Sequence, residues 1–117
     1  MDNRLSPPLA ALGLARKAGR VICGTPLVCS ALGEKNPPSL VVMSAYASDN
    51  TRKRVRDRCA YYGVQLYELS ESPAELARAI GSRGEVAAVA ICDGGLARLF
   101  LSKAEKTTGE IRYRNEE

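Results

Sequence analysis

Apolar and polar positions along the chain switch repeatedly between helical and strand spacing. Leu9, Leu12, Leu14 and Ala15 recur at helical spacing behind Ser6 and Pro7, a cap residue and a first-turn proline, so a helix is predicted over 7–17 with Gly19 ending it. Val21, Ile22 and Cys23 form a short apolar strand that runs into Gly24-Thr25-Pro26. There a second helix is predicted over 26–32, with Thr25 as its cap, Pro26 in its first turn and Gly33 as its stop. The rigid connector Asn36-Pro37-Pro38 precedes Leu40-Val41-Val42-Met43, an unbroken apolar run of the kind that lies between two helical layers. Residues 48–51 supply several caps for a third helix ending at Tyr62 before Gly63, with Val55, Cys59 and Tyr62 spaced i, i+4, i+7 as its buried stripe. A third strand is predicted over 64–69. Ser72-Pro73-Ala74-Glu75 then opens a fourth helix with a capping box, its Leu76, Ala79 and Ile80 facing the core. Residues 81–85 read as a short loop with Arg83 at the tip, residues 86–91 as a fourth strand apolar on both faces. Asp93-Gly94-Gly95 turns into a last helix over 96–103, with Leu96, Leu99 and Phe100 inward.

This alternation predicts an α/β fold, a single-domain three-layer α/β/α sandwich around a four-stranded mixed sheet. Residues 5–103 would form the domain and 104–117 a loose, polar C-terminal tail. With 117 residues, 45% of them hydrophobic, the chain can bury a core without disulfides or metal, and no apolar run reaches membrane-spanning length. The first eight residues lack the apolar centre of a signal peptide, so a cytoplasmic protein is expected. Cys23, Cys29, Cys59 and Cys92 show no C-x-x-C spacing and lie among apolar neighbours, which points to buried free thiols and to no metal site. Histidine is absent, removing the commonest general base, and neither a G-x-x-x-x-G-K-[ST] loop nor a G-x-G-x-x-G fingerprint occurs. Cys92 has no histidine to activate it, and Asp93 reads as a cap. No enzymatic activity and no cofactor are expected.

Charge adds a partner class. The net charge is +4, and five cations, Arg52, Lys53, Arg54, Arg56 and Arg58, crowd the third helix against Asp57. A charge run is usually a solvated face, yet cations in the first turn oppose the helix dipole by roughly 0.3–1 kcal/mol each. A docked polyanion would offset that cost and release counterions. The Gly24-Thr25-Pro26 start, ordinary helix punctuation when taken alone, also leaves backbone N–H groups free to receive an anion. Phe100 and the tyrosines are not spaced as a single-strand stacking platform.

The run Leu12-Gly13-Leu14-Ala15-Arg16-Lys17-Ala18-Gly19, followed by 21–24, 40–47 and 74–81, resembles the ribosomal L-seven-Ae superfamily, and within it the bacterial YlxQ-like branch. The likeness covers about 9–101. It implies binding of structured RNA, often kink-turns or ribosomal RNA, through the starts of the second and third helices and the loop before the last strand. Those regions hold Gly24, Thr25 and Pro26; Ser48, Arg52, Lys53 and Arg56; and Ser82, Arg83 and Gly84, with Lys17 and Arg20 completing the expected basic edge. One departure stands out. Strong kink-turn binders carry an Asn-Glu pair and, a turn later, a lysine, where this chain has Pro26, Leu27 and Ser30. Pro26 and Leu27 have no side-chain hydrogen-bonding groups, so backbone-mediated contact is expected in place of base-edge reading. The resemblance implies association with the ribosome or translation factors, with no DNA specificity and no membrane partner. The alternative is a protein-interaction module of the translation machinery without specific RNA readout.

Overall fold

Successive side chains on a strand point to opposite faces, and this alternation sorts the protein's two cores. The computed structural model describes residues 6–104 and 110–113. The elements in chain order are α1 (Pro7–Lys17), β1 (Val21–Cys23), α2 (Thr25–Leu32), β2 (Leu40–Ser44), α3 (Asp49–Tyr62), β3 (Leu66–Leu69), α4 (Pro73–Ala79), β4 (Ala88–Ile91), α5 (Gly94–Ala104) and β5 (Glu110–Tyr113). Leu40 and Val42, Tyr67 and Leu69, Val89 and Ile91 face one side and pack with α1, α4 and α5. Val41 and Met43, Leu66, Ala88 and Ala90 face the other and pack with α2 and α3. The predicted three-layer α/β/α sandwich is therefore present. Each large apolar side chain buried this completely, Leu12, Leu32 and Phe100 among them, adds roughly 1.5–3 kcal/mol.

The sheet order is β1-β4-β2-β3-β5. Strands β2 and β3 are parallel, with α3 as their crossover, while β4 runs antiparallel to both β1 and β2. The four predicted strands form this mixed core. A fifth is added at the edge: Glu110–Tyr113, expected as part of a loose tail, pairs antiparallel with β3 through an irregular register. Tail residues 105–109 and 114–117 lie outside the described residues. Glu110-Ile111-Arg112-Tyr113 does alternate polar and apolar, but four such positions beside a polar stretch are too few to announce a strand without the open edge of β3 to pair with.

Three local expectations change. Gly24, not Thr25, is the N-cap of α2, so Thr25 is already helical and no side chain caps the first turn. Leu14 and Tyr62 are exposed although the spacing placed them in apolar stripes. On α1 the core stripe is Leu9, Ala11, Leu12 and Ala15, which leaves Leu14 on the outer side of the helix. Tyr62 sits at the end of α3, in edge-to-face contact with Tyr61 and beneath the Arg58 guanidinium. The predicted stops and caps at Gly63, Ser72 and Asp93 are all in place. Gly63 is left-handed, Ser72 and Glu75 close a capping box, and the Leu96 N–H donates to Asp93 Oδ2 at 2.9 Å.

Candidate nucleic-acid interface

Two hydrogen bonds to the backbone where β4 begins assemble the candidate site. The Gly24 N–H donates to the Ala88 carbonyl and the Ser44 N–H to the Ala87 carbonyl, each at 2.9 Å. The start of α2 and the turn before α3 therefore flank the beginning of β4, on neighbouring strands spaced about 4.8 Å apart. Loop 81–85 feeds into that same end of β4, held by the Val86 N–H on the Pro73 carbonyl at 3.1 Å. All three predicted segments thus meet at one end of the sheet.

Each segment has its own local cause. Gly24 has φ +96°, a conformation that L side chains rarely adopt, and a Cβ there would meet nothing within 4 Å; glycine is needed for the backbone, not for space. Its carbonyl accepts the Val28 N–H at 2.9 Å and starts α2, whose exposed first turn contains Pro26 and Leu27. The turn into α3 is anchored by Ser44, wholly buried, whose Oγ donates to the Glu71 carbonyl at 2.7 Å and accepts the Tyr46 N–H at 3.0 Å. Ser48 then caps α3 by accepting the Thr51 N–H at 3.1 Å. In the loop, Gly81 and Gly84 both have φ +73°, and residues 81–85, Ser82 and Arg83 included, are exposed.

The cations divide into free and committed groups. Arg83 has no ion pair among the described residues and stands open to solvent. Arg52 is paired with Asp49 in the first turn of α3, and its Nε–H is buried without a partner. Lys53 donates to Asp57 at 2.8 Å, and this partner raises its pKa through the hydrogen bond first and charge second. Arg56 is committed elsewhere. Its Nε and Nη2 bond both carboxylate oxygens of Glu68, at 2.7 and 3.0 Å, and that hydrogen-bonded pair raises the Arg56 pKa. Arg58 donates twice to the Cys29 carbonyl of α2, at 3.2 and 2.9 Å. The crowding of cations on α3 is thus largely balanced within the fold: Asp49 lies in the first turn itself, a favourable place for an acid, and Glu68 arrives from β3.

Arg20, expected on the same edge, is not brought there, whereas Lys17 lines a groove that reaches Gly81 of the loop. The Arg20 carbonyl accepts the Cys92 N–H at 2.8 Å, beyond the far end of β4, about 13 Å of strand away from Ala88. The structure adds Leu27 (62% exposed) and Tyr46 (69% exposed) to the site end. Tyr46 was hidden in the sequence by its place between a strand and a cap, where a buried position is as readily expected. The cysteines follow the buried-thiol expectation at Cys29 and Cys59, the latter pushed up to about 12 by burial and then by Cys29. Cys92 departs from it: the thiol is exposed, just past the end of β4. No cluster of His, Cys, Asp and Glu suited to a metal occurs among the described residues.

The model of the ribosomal protein L7Ae/L30e/S12e/Gadd45 family matches residues 9–100, a span that takes in all three segments of the site. The chain belongs to this family. Among relatives of the L7Ae family, a Bacillus subtilis (strain 168) protein named RNA-binding protein YlxQ is 41% identical over 91 residues, 78% of this chain and 88% of that protein. The Enterococcus faecium protein of the same name is 36% identical over 87 residues, covering 74% and 81%. A solved structure from Bacillus halodurans C, described as a protein with unknown function, superposes with a TM-score of 0.77 at 27% identity, over 86% of this chain and 99% of that one. The Giardia lamblia 15.5kD RNA binding protein shares the L7Ae fold at a TM-score of 0.67 and 17% identity, over 84% and 82%.

Proposed function

We propose that this L7Ae-family protein is a non-enzymatic, cytoplasmic binder of structured RNA, held where α2 and α3 begin and loop 81–85 projects. The observation that carries this reading is the pair of bonds from Gly24 and Ser44 to the adjacent carbonyls of Ala88 and Ala87 where β4 begins, which sets the starts of α2 and α3 beside the loop that leads into that strand. Exposed backbone at the α2 start offers N–H donors to phosphate, and Arg83 supplies an uncommitted charge. The B. subtilis and E. faecium relatives carry RNA-binding names, which supports the same partner class. Kink-turn or ribosomal RNA is the proposed ligand within that class. With Pro26 and Leu27 at the α2 start, contact runs through phosphate, backbone and shape, with little side-chain reading of base edges.

Titration of a kink-turn RNA, a ribosomal RNA fragment and a plain duplex of equal length tests the proposal. Binding should weaken steeply with salt, and Arg83→Glu should reduce both the affinity and the salt slope, by about one unit of slope for each phosphate that the variant leaves unneutralised. Absence of salt-sensitive binding to every RNA would sink it. Leu27, large, apolar and exposed at the site, favours a second reading: a protein-interaction module of the translation machinery. Pull-downs with and without ribonuclease separate the two, since a partner set indifferent to RNA removal supports the module.

A further inference from the structure

Helix α1 carries a second stripe besides its core stripe. Ala10, Gly13, Leu14 and Lys17 fall at i, i+3, i+4 and i+7, so they share one face, and none of the four is buried. Leu14 in particular leaves 56% of its surface in solvent. This stripe forms one wall of a groove of about 470 Å³ whose other wall is the end of α4, with Arg78, Ala79, Ile80 and Gly81. Gly13 makes the groove possible. A Cβ there would stand 3.1 Å from the Ala79 carbonyl oxygen, so α4 approaches the α1 backbone closely at this point, with Leu14 beside the junction.

The groove's chemistry is one-sided. Its floor is aliphatic, and the charged side chains lining it are Arg16, Lys17 and Arg78. All three are exposed, none has an ion pair among the described residues, and no acidic side chain lines the groove. An aliphatic floor is poor for phosphate and good for a leucine or phenylalanine side chain. A cationic rim without acids selects carboxylates around that side chain.

We propose that the α1–α4 groove is a docking site for an acidic amphipathic segment of a partner protein, which seats one or two large apolar side chains on Ala10, Gly13, Leu14 and Ile80 and places its carboxylates on Arg16, Lys17 and Arg78. This assigns Lys17 to a groove that adjoins the RNA-facing end of the sheet at Gly81. It also gives Leu14 a partner that the core does not provide. The site is independent of the proposed RNA contacts at Gly24, Arg52 and Arg83, though Gly81 borders both, so a docked segment would lie next to loop 81–85. The volume suits a few side chains of a short helix, not a broad protein face.

Amide NMR of the full chain tests the assignment with three synthetic peptides: a helix-forming peptide with leucines at i and i+4 among glutamates, the same residues scrambled, and a version with lysine for every glutamate. The first should shift the amides of Ala10, Gly13, Leu14, Lys17 and Gly81 saturably, while the other two bind at least tenfold more weakly. Leu14→Gln and Arg78→Glu replace exposed side chains, so they should leave the fold intact; each should weaken the first peptide at least fivefold. Arg83→Glu, outside the groove lining, should weaken the peptide less than Arg78→Glu does. Absence of saturable shifts at millimolar peptide overturns the proposal, as does equal binding of the scrambled peptide. A kink-turn RNA that shifts the same five amides and loses affinity in Leu14→Gln as the peptide does would overturn it in favour of an RNA surface.

Discussion

Arg56 offers the sharpest separation of structural from functional charge on α3. Its fork holds both oxygens of Glu68, a carboxylate only 7% exposed on β3, in the layer between sheet and helix. Arg56→Met would remove the fork and leave that carboxylate without its main counter-charge. Breaking a fully buried pair in this way costs about 3–5 kcal/mol. The Arg56 side chain is 39% exposed, so water reaches one side of the fork, and the cost falls to about 1–3 kcal/mol. In a domain of this size each kcal/mol moves the melting temperature by about 4–8 °C, giving an expected drop of roughly 5–20 °C. Thermal unfolding by circular dichroism measures it, and Glu68→Gln in the same chain should make the double loss smaller than the sum of the two single losses. RNA affinity of the folded Arg56→Met protein should fall far less than that of Arg83→Glu. An unchanged melting temperature together with a loss of RNA affinity as large as that of Arg83→Glu would refute the reasoning, because it would mean that the Arg56 charge serves the ligand.

Three other outcomes follow from the same geometry. Gly24→Ala should cost about 1–3 kcal/mol in thermal unfolding, because φ +96° strains any side chain there even though nothing crowds it; a neutral result would show that the α2 start relaxes freely. Tyr46→Ala should leave the melting temperature in place and weaken RNA carrying an unpaired base by about tenfold, the order of one base–aromatic stack. Equal affinity in titrations of both proteins would remove Tyr46 from the site. At pH 8 a thiol reagent should label Cys92 first and Cys59 only on unfolding, as read by mass spectrometry. The folded state holds the Cys59 proton up to about pH 12 while an unfolded thiol releases it near 9, so this group's stabilisation is intact below pH 9 and declines as pH rises above it. The loss is at most about 1.4 kcal/mol per pH unit, and melting temperatures that do not fall between pH 9 and 11 would contradict it.

Helix starts and strand identities were legible because each rests on a local signal, while the meeting of the three segments at one end of the sheet was implied by the family resemblance. Ser72 with Glu75, Asp93 before its glycines, and the apolar runs of β2 and β4 announce themselves within a few residues. What escaped depends on contacts between distant segments. Arg56 reads as a free cation until Glu68 arrives from β3, twelve positions later, and Leu14 reads as core until α1 turns Leu12 and Ala15 inward. Arg20 looks adjacent to Gly24 along the chain, yet β1 carries the backbone from one end of the sheet to the other between them. Thr25 was misplaced by a single residue because Gly24 begins α2 with its backbone alone, while Thr25 beside it is the residue type whose side chain could have capped the turn.

The short strand β5 has a consequence for solubility. By pairing with β3 it covers the backbone donors and acceptors along Leu66, Tyr67 and Glu68, which would otherwise face solvent at the sheet's border. Both borders are then brief, three residues of β1 on one side and four of β5 on the other, too little ladder to template a second chain. A chain cut after α5 would leave the hydrogen-bonding edge of β3 open, as the place where copies of the protein begin to pair with one another and form aggregates.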